Sequence, residues 1–349
     1  MKPCNHFFQL VRSKWYFEFW QQQHFRRHLH LCSSYSTYKN DTDDDGRDDC
    51  DTAYSTNKRV TTKIDRSTGI CSVELNRPDK LNSFDLKMFH DIAETISNLK
   101  NERSVRAVVL SGQGRAFSTG LDIKAVMNNG NPKKQIQHLL ERRSRPFRDD
   151  DKEIIESNLA QDVSIMWREI DVPVIAVLHG MCYGAGLQIA LGADFRYATK
   201  NCKLSIMEGK WGLIPDMGAS ILLRELVRID VAKELTMTGR IINATEAHKL
   251  GLVTRVIIGK NSTDDGTVID LNTDALLEAE AFALELTKRS PDAIAAAKQL
   301  FQKTWTSYST NDSLRLESTL QQKLLITWNQ LARSGRSFLG WNIPYTKRK

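Results

Sequence analysis

A short apolar strand running straight into a glycine-rich corner sets the tightest limit on how this chain can fold. Val174-Ile175-Ala176-Val177-Leu178 shows no polar alternation, so both faces of the strand it predicts must be covered. His179 leads into Gly180-Met181-Cys182-Tyr183-Gly184-Ala185-Gly186 and then the apolar helix Leu187-Gln188-Ile189-Ala190-Leu191. Ala107-Val108-Val109-Leu110-Ser111-Gly112 repeats the pattern, with further glycines at 114 and 120. Doubly covered strands alternating with helical sequence indicate an α/β fold. Around them, 60–64 and 70–75 read as a hairpin, and Asp85 caps a helix whose Phe89, Ile92, Ile96 and Leu99 form one buried stripe. Residues 127–160 read as a polar insertion, after which a helix runs through Trp167 to Asp171. A strand at 195–198 and helices at 219–228, 231–238 and 244–250 follow. Three long helices close the chain at about 273–289, 291–306 and 312–330.

Glycine at a strand-to-helix corner lets backbone N–H groups approach a ligand, and the helix N-terminus favours negative charge. Two such corners, 112–120 and 180–186, can aim two N–H donors at one developing oxyanion, or they can simply be tight turns. A dinucleotide fingerprint fails because Ile189 stands where the third glycine belongs. A phosphate-binding Gly-Lys-Ser/Thr and a Gly-x-Ser-x-Gly elbow are absent. Glu208 sits between Leu204, Ile206, Met207 and Trp211, Leu213, Ile214, Pro215. Such apolar surroundings raise a carboxyl pKa and suit a general base or acid near neutrality; an ion pair with Lys210 or Arg224 is the alternative. Asp216 follows eight residues later.

Other classes recede. The six cysteines show no CxxC, and His90, His138, His179 and His248 are too dispersed for a metal site. No run approaches the roughly 18–20 apolar residues of a membrane span. The net charge of +7 divides into +5 over residues 1–40, −6 over 41–51 and +8 over the remainder. Residues 1–33 carry five basic residues, one acid and large apolar side chains, with Ser33-Ser34-Tyr35-Ser36 at their end. This is the pattern of a mitochondrial transit peptide. Residues 34–58 form an acidic leader expected to stay disordered. A core over 59–258 and a C-terminal helical region over 259–349 complete the chain.

The run Arg115-Ala116-Phe117-Ser118-Thr119-Gly120-Leu121-Asp122-Ile123-Lys124, the Gly184-Ala185-Gly186 turn and Glu208 with Gly212-Leu213-Ile214-Pro215-Asp216 resemble the enoyl-CoA hydratase/isomerase (crotonase) superfamily. The resemblance is strongest over 59–258. It implies a crotonase-like spiral of ββα units with a C-terminal helical region, usually assembled as a homotrimer or hexamer. It implies an acyl-CoA thioester as substrate, with no permanently bound cofactor and no metal. A thioester enolate would be held by the backbone N–H groups of Leu121 and Ala185. Arg77, Lys80, Leu81 and Asn82 would bind CoA, with Asp122, Ile123 and Lys124 near the adenine. The basic tail Lys347-Arg348-Lys349 would also meet phosphates. Hydratases of this family carry two glutamates; the first falls on Gln188, which could still position a water, and the second on Glu208. Asp216 falls where dienoyl-CoA isomerases and 3-hydroxyisobutyryl-CoA hydrolases have aspartate.

The expectation is a mitochondrial-matrix enzyme of fatty-acid β-oxidation, a double-bond isomerase with Glu208 as proton shuttle and Asp216 as a second acid or its polar partner. An enoyl-CoA hydratase or 3-hydroxyacyl-CoA hydrolase is the alternative within the family, and a non-catalytic CoA- or RNA-binding protein the alternative outside it. Lys133, Lys134, Arg142, Arg143, Arg145 and Arg148 could meet phosphates. The acids Asp149, Asp150, Asp151 and Glu153 after them argue for a solvated face and against nucleic acid. Walls of the acyl pocket are expected from Met127 to Gln137 and the C-terminal helices.

Overall fold

Strands β1 (Val60–Asp65) and β2 (Ile70–Leu75) pair antiparallel, from Val60 opposite Leu75 to Asp65 opposite Ile70. They form in the computed structural model, which describes residues 58–128, 131–146, 154–259, 270–306, 308–340 and 343–348. The transit segment 1–33 and all of the acidic leader except Lys58 lie outside those residues.

Helix α1 (Leu86–Asn101) starts where the Asp85 side chain accepts the Met88 N–H, and it buries Met88, Phe89, Ile92, Ile96 and Leu99. Strand β3 (Ala107–Gly112) follows, then α2 (Ile123–Asn128) and α3 (Pro132–Leu140). The polar insertion holds α3 and a hairpin of β4 (Arg143–Pro146) and β5 (Ile154–Ser157). Its tip, 147–153, lies outside the described residues. Helix α4 (Leu159–Ile165) opens on a capping box between Asn158 and Gln161 and tightens into a 3-10 turn at Met166–Arg168.

The two glycine corners are then built as expected. Strand β6 (Val174–Leu178) leads to β7 (Met181–Tyr183) and helix α5 (Ala185–Leu191). Strand β8 (Phe195–Thr199) leads to β9 (Lys203–Ser205), a 3-10 turn at Met207–Trp211, and helices α6 (Ala219–Leu226) and α7 (Ile229–Thr238). Then come β10 (Ile242–Asn243), α8 (Ala244–Leu250) and β11 (Arg255–Ile257). The large sheet runs β1-β2-β3-β6-β8-β11, parallel from β2 onward, and the small one runs β10-β9-β7. Strands β6 and β8 thus each hand the chain to a short strand of the second sheet and then to a helix, the ββα unit.

Helix α9 (Leu271–Thr287) explains why β3 and β6 lack alternation. Its Ala275, Ala279 and Ala283 pack on Val109, Ile175, Val177 and Tyr197, on the sheet face opposite α1. The first C-terminal helix is therefore a layer of the core. Helices α10 (Pro291–Thr304), α11 (Thr310–Leu324) and α12 (Trp328–Leu339) follow. The helix expected over 312–330 is broken: Ile326 takes a left-handed φ of 63°, and Thr327 caps α12. No glycine or proline marks that break. Among the described residues no helix is long and apolar enough to cross a membrane.

Candidate active site

The first corner is tied together by a buried asparagine. Leu81 and Asn82 both take left-handed backbone angles, φ 51° and 54°, a conformation that costs on the order of 1 kcal/mol each. Asn82, wholly buried, holds it: its Oδ1 accepts the Arg77 N–H at 2.8 Å, and its Nδ2 donates to the Gln113 and Ala116 carbonyls at 2.9 and 2.8 Å. The exit of β2 is thereby fixed to the exit of β3. Ser118 Oγ donates to the Asn82 carbonyl and accepts the Gly120 N–H, so the segment leading to Leu121 is fixed as well.

Two bonds then settle where Leu121 points. Phe84 N–H donates to the Gly120 carbonyl at 2.8 Å, and Asp122 N–H donates to the Phe84 carbonyl at 3.0 Å. In such a parallel bridge the residue between, Leu121, turns its own N–H to the opposite edge. The second corner meets that edge. Ser118 N–H donates to Met181 O, Tyr183 N–H to Ser118 O, and Gly184 N–H to Ser205 O. Helix α5 begins at Ala185, whose N–H is in the first turn and has no helical acceptor. Gly120 has φ 89°, and a Cβ there would lie 2.9 Å from Tyr183 O and 3.3 Å from Ala185 N. Only glycine lets the two corners approach this closely. The N–H groups of Leu121 and Ala185 are thus brought to one place.

Glu208 faces the same place. A Cβ on Gly184 would stand 3.3 Å from Glu208 Oε1. The 3-10 turn holds Glu208, and its carbonyl accepts the Leu213 N–H at 3.1 Å. Gln188, 1% exposed on α5, donates Nε2–H to Glu208 Oε1 at 2.7 Å and accepts the Met217 N–H at 2.9 Å. Glu208 Oε2 is buried and has no hydrogen-bond partner among the described residues. Burial pushes the Glu208 pKa up, and the charge of Asp216 adds to that; the Gln188 donor pulls the other way without cancelling it. The expected alternative, an ion pair of Glu208 with Lys210 or Arg224, is not formed among the described residues. Asp216 is exposed as a residue, yet the protein around its carboxyl raises its pKa too.

The residues expected at CoA fall into two groups. Arg77 is paired inside the fold, donating to Asp122 Oδ2 at 2.7 Å and to Ser83 O at 3.0 Å, and lying 3.6 Å from Asp85. Burial works against the Asp122 carboxylate, but the Ala125 N–H and Arg77 outweigh it and hold its pKa down. Lys80, Ile123 and Lys124 are exposed around this partly buried pair. Arg348 is buried, lies 3.6 Å from Asp171, and presents its carbonyl to Arg103, so it is engaged elsewhere in the fold.

Asp216 also borders a cavity of about 680 Å³. Its walls come from the hairpin side (Arg142, Ile155, Ser157), from α4 and α6 (Ile165, Ile221, Arg224), and from Gln302, Lys303 and Tyr308. Gln302, Lys303 and Tyr308 border this cavity and 131–137 do not; of the site groups above only Asp216 lines it, and Glu208, Leu121 and Ala185 do not. Sequence reasoning missed three supports here: the Met217 N–H, the Phe84 bridge and the hairpin. The box Asn158-x-x-Gln161 was a visible signal that the polar insertion ended in ordered structure.

Residues 65–337 match the family described as enoyl-CoA hydratase/isomerase. The chain belongs to that family. Carnitinyl-CoA dehydratases of Shigella flexneri and Escherichia coli (strain K12) are each 28% identical over 242 residues, covering 69% of this chain and 80% of theirs. Solved enoyl-CoA hydratases from Mycobacterium smegmatis and Bacillus anthracis share the fold at 22% identity, with TM-scores of 0.66 and 0.68. Each covers 82% of this chain and 98% of its own. The protein is thus an enzyme of the enoyl-CoA hydratase/isomerase family, whose members act on CoA thioesters.

Proposed function

We propose that this family member is an enoyl-CoA or dienoyl-CoA double-bond isomerase with Glu208 as its single proton carrier. The observation that carries the reading is the Gln188–Glu208 pair: an amide, incapable of carboxylate proton transfer, donates at 2.7 Å to the one carboxylate beside the two backbone donors. With a 3-enoyl thioester, Glu208 Oε2 takes a proton from C2, and the electron pair delocalises onto the thioester oxygen as a dienolate. The Leu121 and Ala185 N–H groups hold that charge; losing one such donor costs about 2.7–4 kcal/mol elsewhere. Glu208 returns the same proton to C4, the double bond moves to C2–C3, and no water is consumed. A raised pKa suits a group that must both take and return a proton near neutrality.

A second reading, hydration or dehydration, is favoured by the charge of Asp216 acting on Glu208, since two carboxyls would then share the proton work. Relatives named dehydratases support it too. A panel of 2-enoyl-, 3-enoyl-, 3,5-dienoyl- and 3-hydroxyacyl-CoA thioesters, followed for isomerisation, hydration and CoA release, separates the two. Isomerisation of the 3-enoyl or dienoyl thioester is expected to dominate; dominant hydration or CoA release would overturn the assignment. The composition of residues 1–33 supports a place in mitochondrial-matrix fatty-acid oxidation. Fusion of residues 1–58 to a fluorescent reporter is expected to send it to mitochondria, and diffuse signal would refute that.

A further inference from the structure

The cavity beside Asp216 joins apolar surface to charged side chains of both signs. Ile165, Ile214, Pro215 and Ile221 supply the apolar part. Arg142, Arg168, Arg224 and Lys303 face it against Glu156, Asp216 and Glu225. Two cations are matched locally: Arg142 with Glu156 at 3.4 Å, and Arg168 with Glu225 at 2.9 Å. Arg224 meets no acid among the described residues; its bond goes to the Thr306 hydroxyl at 3.4 Å, the long end for a hydrogen bond.

A cation in the last turn of α6 suits the helix dipole on any surface, so position alone carries nothing. The cavity is what gives Arg224 meaning. Covering an arginine with a plain hydrocarbon chain desolvates a charge without a partner, which is unfavourable. A carboxylate satisfies the same guanidinium through two parallel bonds. Arg224 lies six residues along α6 from Gly218, roughly 9 Å of helix axis, so it stands away from the reacting carbons near Glu208.

We propose that this cavity takes an acyl group ending in a carboxylate, bound by Arg224, and that the preferred substrates are CoA thioesters of dicarboxylic acids. The proposal rests on the acyl-CoA reading above and adds the class of acyl chain. Arg224 is then a specificity-determining residue, remote from the proton transfer.

Calorimetric binding of two unreactive saturated thioesters of equal chain length, hexanoyl-CoA and adipoyl-CoA, to the full chain tests it without chemistry. Adipoyl-CoA is expected to bind about tenfold more tightly, with the advantage shrinking as salt rises. Arg224→Gln is expected to remove that advantage and leave hexanoyl-CoA affinity unchanged. Equal affinities in the wild type, or an advantage that survives Arg224→Gln, overturn the proposal and leave the isomerase reading standing. No binding of either thioester overturns both. If Arg224→Gln does not fold, Arg224→Met is measured against the same ligands with the same outcomes.

Discussion

Glu208 works at the expense of the fold. Burial and Asp216 raise its pKa, so the folded state holds the Glu208 proton more tightly than the unfolded state does. Its stabilising contribution is therefore fully present below the ordinary glutamate pKa of 4.5, and it is lost as pH rises through the higher folded value. Glu208→Gln stays neutral throughout. Its Tm is expected to exceed the wild type's at pH 7 and to converge with it at about pH 4. Its isomerase turnover is expected to fall about 10²–10⁴-fold. A variant less stable than the wild type at pH 7 would show that Glu208 is not strained in this way. Asp216→Asn removes one of the influences that raise Glu208. The acid limb of kcat/KM is expected to move to lower pH, and an unmoved limb would mean that Asp216 does not act on Glu208 through its charge.

At the level of elements, the site depends on two corners that touch and one hairpin that walls the cavity. Gly120→Ala places a Cβ 2.9 Å from Tyr183 O at φ 89°, so the corners must separate and the donors diverge. Turnover is expected to drop about 10²–10³-fold, the cost of one lost oxyanion donor, with circular dichroism and CoA affinity close to wild type. An active Gly120→Ala enzyme would contradict the placement of Leu121 N–H. The hairpin is pinned by Arg145, which reaches Asp162 at 2.8 Å and Glu169 at 2.8 Å, while Lys100 also pairs with Glu169. Burial lowers the Arg145 pKa, but these two acids outweigh it and raise it. Arg145→Ala is expected to cost about 3 kcal/mol in denaturant unfolding, the low end for breaking a buried pair, because part of the side chain remains exposed. It should also weaken acyl-CoA binding while sparing free CoA. Corners and caps were legible in sequence because their signals are local: an apolar run, a glycine, Asp85 three residues before the Met88 N–H. The hairpin was illegible because Arg145 finds its partners 17 and 24 residues away, in charged sequence that reads equally well as solvated. The break at Ile326 carries no glycine or proline; its one local signal is Thr327 three residues before Gln330, the spacing of a helix N-cap.

Across the whole molecule, the positive surplus that follows residue 51 is spent unevenly. Arg77 is consumed by Asp122 and Asp85, and Arg348 is buried beside Asp171. Residues 343–348 are docked on the fold: Tyr345 lies 4.3 Å under Arg336, and Thr346 N–H donates to Asn329 at 2.9 Å. On the proposed reading, Lys80 and Lys124 are exposed cations left at the first corner to meet the phosphates of a CoA thioester, and the family resemblance alone could not distinguish them from the paired Arg77. What the fold brings together is the Glu208 carboxylate, two backbone donors and the Gln188 amide, which the family resemblance sets at the place of a hydratase's other acid. The contrast to measure is the ratio of 3-enoyl-CoA isomerisation to 2-enoyl-CoA hydration, in the wild type and in Gln188→Glu. The wild type is expected to isomerise at least about 100-fold faster than it hydrates, and Gln188→Glu to close that gap by raising hydration. Wild-type hydration as fast as isomerisation, or a ratio indifferent to Gln188→Glu, would contradict a single-carboxylate isomerase.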